Sequence, residues 1–400
     1  MKLAFVVQRF GADVAGGSEA HCRDLAQRLS LRHDVTVLTT CARDYVTWAN
    51  AYPAGTTRDG SVRVLRFPVK RQRRLKRFAD LSDEVFDGGA PRELQEEWFS
   101  ENGPDAPGLL DHLRQHGTEF DLVLFWTFRY APSYFGVPIV ADRAILVPTA
   151  EEDQAVTLDV LEEFFQKPAG YLFLTPEEET LVAGRAGYQL TPSAVIGTGL
   201  EPARPAAGSD LLRQHGITED YVLYLGRVDR NKGCHTLLEH YESFAGSHPQ
   251  APLLVLAGPA KMTIPDHPRI KALGYVSADV RDALLAHALA LVVPSPFESL
   301  SIALLEAWNY GVPALVNARC KVLDGQVRRA NGGLCYRSSA DFAEGFNYLL
   351  THPRERQAFG RQGLAHVDRE YRWPTVLQRV EQVLGAVKAQ GLKAKAQGLV

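Results

Sequence analysis

The feature of this sequence that most restricts the fold is the stretch from 291 to 313, LVVPSPFESLSIALLEAWNYGVP. It begins with three apolar residues, which are typical of a buried strand in a parallel sheet, and two prolines then end that strand. Ser299 or Ser301 can cap the start of a helix. The pattern extends that helix to Tyr310, with Gly311 as the residue after its end. The turn before the helix is a predicted anion site, because the first helical amides have no partner within the helix.

Two carboxylates of this stretch, Glu298 and Glu306, lie eight residues apart. Glu306 falls inside the predicted helix among apolar neighbours, where a carboxylate is costly unless something donates hydrogen bonds to it. The hydroxyl groups of a sugar are such donors. Alternatively, Glu306 is partly exposed and Glu298 only interacts with the helix dipole. The spacing alone leaves both interpretations open.

The composition is that of an ordinary globular protein. Of the 400 residues, 46% are hydrophobic, and the net charge of −3 gives no attraction to nucleic acid or membrane as a whole. The five cysteines are scattered without a Cys-x-x-Cys pair, so neither a zinc site nor a disulfide framework is indicated. There is no signal-peptide pattern and no apolar run of membrane-spanning length. We therefore expect a cytoplasmic protein, of an oligomeric state that the sequence leaves open.

The first forty residues follow a strand–loop–helix–strand pattern. Residues 3–7 are a continuous apolar run that predicts a buried strand, residues 35–39 predict the next strand, and an amphipathic helix leads from Gly16 and Gly17 toward Leu29. Such a βαβ unit requires a parallel sheet with a right-handed crossover. The two glycines either let the backbone approach a ligand closely or only form a tight turn.

The same alternation continues along the chain. Further strands are predicted at the runs 62–67, 121–126, 144–150, 171–174, 194–200, 221–226, 253–258 and 314–316, a shorter strand with a turn at 270–277, and further helices at 280–290 and 375–387. Residues 201–208 are rich in Pro, Ala and Gly, which predicts a linker between two domains.

A pair of cations follows the strand 221–226. That strand ends in Gly226, and Arg227 and Lys232 then flank a polar turn. Arginine offers a planar fork to phosphate oxygens and lysine a point charge, so the two can clamp an anion. Otherwise they are two solvated cations on a surface turn. The strand 253–258 ends in Gly258, at an edge where nucleotide sites often form in open parallel sheets.

Lys70–Arg77 carries six positive charges in eight residues. This segment is either a solvated basic face or a surface that attracts anionic lipid headgroups or a lipid-diphosphate acceptor. No regular apolar stripe lies beside it, so we do not predict an amphipathic membrane helix.

The stretch 291–313 resembles the E-x7-E signature of retaining glycosyltransferases of the GT-B fold, specifically the GT4 family. The resemblance implies that Glu298 contacts the sugar of a nucleotide-diphosphate-sugar and that Glu306 contacts the ribose hydroxyls.

Further residues take roles from the same resemblance. The amides of Ser299, Leu300 and Ser301 would face the diphosphate and the sugar. Arg227 and Lys232, in a turn that matches the family pattern closely, would hold the diphosphate and stabilise the departing nucleotide, so that no metal is needed.

Glycines and one backbone segment complete the implied site. Gly16 and Gly17 resemble the glycine loop that lies beside the donor phosphates and the acceptor. Gly226 and Gly258 end strands next to the nucleotide, and the backbone near Val276 would meet the base, which is uridine or guanosine.

The chain departs from the family pattern at Glu151. In related transferases a histidine commonly follows the strand 144–150 and contacts the donor or acceptor beside the reaction centre. A carboxylate at this catalytic position would change which sugar is held, or would indicate altered or absent activity.

The resemblance implies an α/β protein with two Rossmann-like domains that face each other across a cleft. The acceptor domain would comprise 1–200 with a returning helix at 373–388, the nucleotide-sugar domain 209–371, and 389–400 a flexible tail.

We expect transfer of a hexosyl group to an acceptor hydroxyl with retention, in the synthesis of polysaccharides, glycolipids or other glycoconjugates, without a cofactor. The acceptor would be a carbohydrate, a lipid-linked sugar or a small molecule. Two alternatives stay open: a nucleotide-sugar-binding protein without turnover, and a GT-B sugar phosphorylase.

Overall fold

The computed structural model describes residues 1–14, 16–205 and 208–396. The chain divides into two compact units, Met1–Thr198 with Val376–Val400, and Gly199–Thr375. The segment 201–208, predicted to be a linker between domains, therefore lies within the second unit, and Ala206 and Ala207 are outside the described residues.

The first unit alternates strands and helices around one sheet. Its elements are β1 (Lys2–Val6), α1 (Gly17–Leu29), β2 (Asp34–Thr40), β3 (Gly55–Asp59), β4 (Val62–Phe67), α2 (Leu75–Phe86), α3 (Arg92–Asn102), α4 (Pro107–His116), β5 (Leu122–Trp126), α5 (Ala131–Gly136), β6 (Ala144–Val147), α6 (Val160–Phe164), β7 (Gly170–Phe173), α7 (Pro176–Ala186) and β8 (Ser193–Val195). Short 3₁₀ turns occur at Gly117–Glu119, Val137–Arg143 and Gln154–Thr157.

This sheet has the order β3-β4-β2-β1-β5-β6-β7-β8. All neighbours pair in parallel except β3 and β4, which form an antiparallel hairpin at the edge. The strands β1, β5 and β6 are buried along their length apart from Lys2, because helices cover both faces of a parallel sheet. The sequence pattern missed β3, whose residues are almost all exposed and carry no apolar signal.

The second unit contains a smaller sheet. Its elements are α8 (Ser209–Gln214), β9 (Tyr221–Leu225), α9 (Cys234–Ser247), β10 (Leu253–Ala257), β11 (Ile270–Gly274), α10 (Ala278–His287), β12 (Leu291–Val293), α11 (Ile302–Asn309), β13 (Ala314–Asn317), α12 (Lys321–Ala330), β14 (Gly333–Tyr336), α13 (Ser339–Thr351) and α14 (Pro353–Glu370). The strand order is β11-β10-β9-β12-β13-β14, and every pairing is parallel. Two parallel-sheet α/β units confirm the predicted fold class.

One predicted helix of the second unit has boundaries that are wrong by a few residues. Helix α10 covers Ala278–His287 instead of 280–290, because the Ser277 hydroxyl accepts a hydrogen bond from the Val280 amide and so caps the earlier start. The segment 270–277, predicted as a shorter strand with a turn, forms β11 as far as Gly274, which adopts a left-handed φ of 66°.

The last helix, α15 (Trp373–Ala396), begins in the second unit and continues into the first. Its buried residues Val380, Leu384 and Val387 pack into the first unit, and Glu381 bonds His33 at 2.8 Å. The flexible tail predicted from 389 is wrong as far as Ala396, because the helix extends to that residue. Residues 397–400 lie outside the described part of the chain.

Candidate functional site

Two glycines lie at the carboxyl edge of the second sheet. Gly226 follows β9 and Gly258 follows β10, and the strands pair so that the Gly226 amide donates to the Ala257 carbonyl at 2.9 Å. The φ angles of Gly226 and Gly258 are 146° and 147°, a backbone conformation that residues other than glycine rarely adopt. A Cβ atom at Gly258 would clash with the carbonyl oxygen of Gly226. These predicted binding glycines therefore let backbone lie close to the ends of two adjacent strands.

Arg227 and Lys232 lie in one turn that is organised by Asp229. The Asp229 carboxylate accepts a hydrogen bond from Arg227 Nε through Oδ2 and one from the Lys232 amide through Oδ1 at 2.8 Å. The turn ends at Gly233, the residue before α9. A larger residue does not fit there, because a Cβ atom at this position would clash with the Pro294 carbonyl. Sequence reasoning singled out the two cations and missed the acid between them.

Lys232 and Glu298 are in direct contact. Lys232 Nζ lies 2.8 Å from Glu298 Oε1, with side chains 31% and 12% exposed. Glu298 is held by the loop between β12 and α11, and that loop is supported where Asn317 Nδ2 donates to the Pro294 carbonyl at 3.1 Å. The structure thus brings together Arg227, Lys232 and Glu298, which the sequence predicts to share one site.

Glu306 lies just over one turn into α11 and contacts a different cation. Its Oε1 atom is 3.1 Å from Arg281 Nη1, and Arg281 also lies 3.3 Å from Asp282. Burial raises the pKa of Glu306, although the positive charge of Arg281 acts against this effect. A cavity of about 130 Å³ borders these three side chains and the segment 200–204. The predicted ribose contact of Glu306 stays a prediction.

The amides before α11 are not equivalent. The Ser301 amide donates to Gln326 Oε1 at 3.4 Å, a partner within the protein, and its predicted contact with a ligand stays a prediction. Ser301 is also the residue before the helix, but its hydroxyl forms no capping bond. Leu300 is buried, and for the amides of Ser299 and Leu300 the ligand contact stays a prediction.

The segment after β11 exposes an aromatic ring beside the predicted base contact. Tyr275 is 87% exposed, next to the half-buried Val276. The Gly258 amide donates to the Gly274 carbonyl at 2.8 Å, which places this segment at the same carboxyl edge as the glycines of β9 and β10. The sequence carried a signal for Tyr275, a lone aromatic after a strand end, but not for its exposure.

In the first unit, Gly16 and Gly17 begin α1 beside a buried ion pair. Glu19 Oε1 lies 2.5 Å from Arg9 Nη2, and the two side chains are 6% and 7% exposed. A Cβ at Gly16 would clash with the Glu19 carboxylate, so glycine is needed here for close packing. The loop supports an ion pair of the protein itself, and a ligand contact of these glycines stays a prediction.

Glu151 lies in the loop after β6, half-buried. Asp153 of the same loop forms an ion pair with Arg129. Burial of Arg129 alone would lower its pKa, but the negative charges of Asp153 and Glu151 outweigh burial and raise this pKa. The loop is anchored by Glu178, which accepts hydrogen bonds from the Ala150 amide at 2.7 Å and the Leu174 amide at 2.5 Å. Burial raises the pKa of Glu178 to about 8. The role proposed for Glu151 stays a prediction.

Two threonines at the carboxyl edge of the first sheet are strained. Thr127 follows β5 with φ 58°, and Thr149 lies after β6 with φ 49°. A β-branched residue in the left-handed region is unusual, and such strain clusters at functional sites. Within the described part of the chain, the buried Thr127 hydroxyl has no hydrogen-bond partner. No sequence signal predicts this strain.

Neither a metal cluster nor a membrane span is found in residues 1–14, 16–205 and 208–396. No three His, Cys, Asp or Glu side chains there come together as metal ligands, and no helix there is both long and apolar enough to cross a bilayer. The predicted metal independence is not tested by this observation.

The comparison with known families bears on the second unit. A family model described as "Glycosyl transferases group 1" matches residues 210–366. The second unit carries a group 1 glycosyltransferase domain. Arg227, Asp229, Lys232, Glu298 and Glu306 all lie within this group 1 domain.

Glycogen synthase of Mycobacterium tuberculosis is 26% identical over 212 residues, which is 50% of this chain and 50% of that protein. The chain thus spans about half the length of the curated relatives that it matches.

Solved structures resemble the whole fold, including the group 1 domain. A sucrose-phosphate synthase from Thermosynechococcus elongatus has a TM-score of 0.71 at 17% identity, over 97% of this chain and 99% of its own. Anabaena Alr3699/HepE, solved in complex with UDP-glucose, has a TM-score of 0.68 at 15% identity, over 96% of this chain and 100% of its own. At these identities the likeness shows the fold, which is GT-B.

Proposed function

We propose that this protein transfers a sugar from a nucleotide-diphosphate-sugar to an acceptor hydroxyl with retention of the anomeric configuration. The observation that carries the proposal is the contact of Lys232 with Glu298 beside Arg227, at the carboxyl edge of a parallel sheet. Open α/β sheets bind ligands at that edge. The group 1 domain that contains these residues supports the same reaction.

The two cations suit the leaving group. As the bond between the sugar and the diphosphate breaks, negative charge develops on the phosphate oxygens, and fixed cations stabilise that charge in the transition state. Arg227 would bind two oxygens and Lys232 one. We assign no covalent nucleophile and no metal, since departure of the diphosphate and attack by the acceptor can occur on the same face of the sugar.

Glu298 would hold the sugar hydroxyls next to Lys232. A carboxylate that is 12% exposed needs hydrogen-bond donors, and sugar hydroxyls can provide them in addition to the lysine. The ribose would contact Glu306, and the base would lie toward Val276. Recognition of the acceptor is assigned to the first unit, where Glu151 follows a strained strand end. The products would be polysaccharides, glycolipids or other glycoconjugates, and the reaction would take place in the cytoplasm.

The test is calorimetric binding of UDP and GDP, followed by turnover of UDP-glucose and GDP-mannose with a panel of acceptors. We expect one of the two nucleotides to bind. The substitutions Lys232→Met and Arg227→Met should each weaken this binding at least tenfold, because a charged contact is lost. Lys271→Met is the matched control. Lys271 lies near the start of β11, away from the carboxyl edge of the sheet, so this variant should bind the nucleotide normally.

Product analysis separates the alternatives. Release of nucleoside diphosphate with a product of the donor's anomeric configuration supports the proposal. Consumption of inorganic phosphate would indicate a phosphorylase, and binding without transfer across the panel would indicate a binding protein. If neither nucleotide binds the wild-type protein, the proposed function is wrong.

A further inference from the structure

Asp229 is a buried acid between the two cations that the proposed function uses. Only 9% of the residue is exposed. Its two carboxylate oxygens serve different partners, Oδ2 the Arg227 Nε and Oδ1 the Lys232 amide at 2.8 Å. One side chain therefore sets the direction of the arginine and closes the turn from which the lysine extends.

The backbone of this turn is fixed from below. The Tyr224 hydroxyl, buried at the end of β9, donates to the Arg227 carbonyl at 2.7 Å. The thiol of Cys234, the first residue of α9, lies 3.9 Å from the same oxygen. The main chain is held at Arg227 by two elements, and the bond from Nε to Asp229 constrains the direction of the guanidinium. Bidentate binding of phosphate requires a defined guanidinium plane.

We propose that Asp229 is a positioning residue for nucleoside diphosphate binding, which acts by orienting Arg227 and shaping the Lys232 turn. The inference rests on the proposed function of this site. A simple charge argument predicts the opposite sign, because a carboxylate near a diphosphate repels it and its removal should strengthen binding. The sign of the effect therefore separates orientation from electrostatics.

Asp229→Asn is the test variant. The amide can still accept from the Lys232 amide, but its nitrogen cannot accept from Arg227 Nε. We expect binding of UDP, or of GDP if that is the nucleotide bound, to weaken about tenfold, the size of one charge-assisted hydrogen bond. Glu219→Gln removes an acid paired with Arg269 just before β9, at the opposite edge of the sheet, and should bind normally.

A double-mutant cycle shows whether Asp229 acts through Arg227. In an Arg227→Met background, Asp229→Asn should cause no further loss, because the oriented group is gone. A merely structural role would give additive losses and would overturn the inference. Asp229→Ser, which can close the turn through its hydroxyl but is too short to reach Arg227, is the second variant if the asparagine protein fails to fold.

The outcomes distinguish this inference from the proposed function. If Arg227→Met weakens nucleotide binding while Asp229→Asn leaves it unchanged or strengthens it, the positioning role is wrong and the proposed function stands. If the wild-type protein binds no nucleoside diphosphate, or if Arg227→Met binds as well as wild type, both are wrong.

Discussion

At the scale of single residues, the contact between Lys232 and Glu298 matters more for the geometry of the site than for the stability of the fold. With side chains 31% and 12% exposed, such a pair contributes no more than about 1 kcal/mol to folding, since water screens it and two long side chains lose freedom. The contact instead fixes an ammonium next to a carboxylate at the end of a sheet. A ligand with a phosphate on one side and hydroxyls on the other would meet both groups.

The exposed ring of Tyr275 leads to a prediction about the base. Neighbouring strands lie about 4.8 Å apart, so Tyr275 after β11 and Arg227 after β9 are separated by two strand spacings, about 10 Å. A base stacked on the ring would leave its diphosphate near Arg227. We expect Tyr275→Ala to weaken nucleoside diphosphate binding by about 1–3 kcal/mol, the range for stacking one base on an aromatic ring.

The check is calorimetry with two ligands. Binding of inorganic pyrophosphate, which has no base, should be the same in wild type and Tyr275→Ala, and Tyr275→Phe should bind the nucleotide normally. Equal losses for pyrophosphate and nucleotide would show that the ring does not contact the base.

The sequence could predict the residues of this site but not their partners. Arg227, Lys232 and Glu298 stand out because their types and spacing suit an anion and a sugar. Asp229 lies in the same turn, yet an acid between two cations is equally typical of a solvated loop. Its role depends on the direction of one guanidinium, which no local pattern encodes.

At the scale of elements, the basic segment 70–77 is mostly exposed, but several of its arginines are paired with groups of helix α3. Arg71 Nη1 and Arg74 Nη2 lie 2.7 and 2.8 Å from the Glu101 carboxylate, whose side chain is only 1% exposed. Arg73 donates to the Asn102 carbonyl, and Arg77 pairs with an acid of α3. These contacts neutralise part of the positive charge of the segment, and its contact with lipid or a lipid-linked acceptor stays a prediction.

The segment gives a stability prediction that depends on pH. Burial of Glu101 opposes its ionisation, but hydrogen bonds from Arg74 and Arg71 outweigh burial and lower its pKa to about 2. The unfolded chain should have the ordinary value of about 4.5. This stabilisation is therefore complete above about pH 4.5 and is lost as the pH falls through 2.

Urea unfolding of Glu101→Gln tests this assignment. At pH 7 we expect the free energy of unfolding to fall by about 1–3 kcal/mol, the value of losing charged hydrogen bonds to a buried acceptor. The difference from wild type should shrink toward pH 3. Glu97→Gln, which removes the exposed partner of Arg77 from the same helix, should show no measurable loss, and an equal loss there would contradict the prediction.

Elements were predictable where burial leaves a pattern. The strands β1, β9, β10, β12 and β13 consist almost entirely of apolar and aromatic residues, and the sequence locates each within one or two residues. Helices α3 and α4 were missed. Residues 92–102 are mostly polar, and only Trp98 and Phe99 are deeply buried apolar residues of α3. Their position depends on aromatic packing with distant parts of the first unit, such as the stacking of Phe99 on Tyr134 at 3.9 Å.

At the scale of the whole molecule, each unit has its own hydrophobic core. The buried cluster around β1, β5, β6 and β7 contains only residues of the first unit, and that around β9, β10 and α13 only residues of the second. The chain leaves the first unit and returns to it through α15, so this unit is not continuous in sequence. Such a composite unit is visible to sequence analysis only through resemblance to a known family, since no local pattern shows where the last helix packs.

Separate cores allow the nucleotide site to be assigned to one unit. A ligand that binds only the native state stabilises the unit that holds it, by about 2.7 kcal/mol at a concentration one hundred times its Kd. We therefore expect UDP or GDP at that excess to slow amide hydrogen exchange in β9, β10 and α9, whose opening breaks the site. Lys232→Met, at the same nucleotide concentration, should lose this protection because it binds the diphosphate weakly. Protection confined to β1, β2 and β5 would instead locate the diphosphate in the first unit, and the roles given to Arg227, Lys232 and Glu298 would then be wrong.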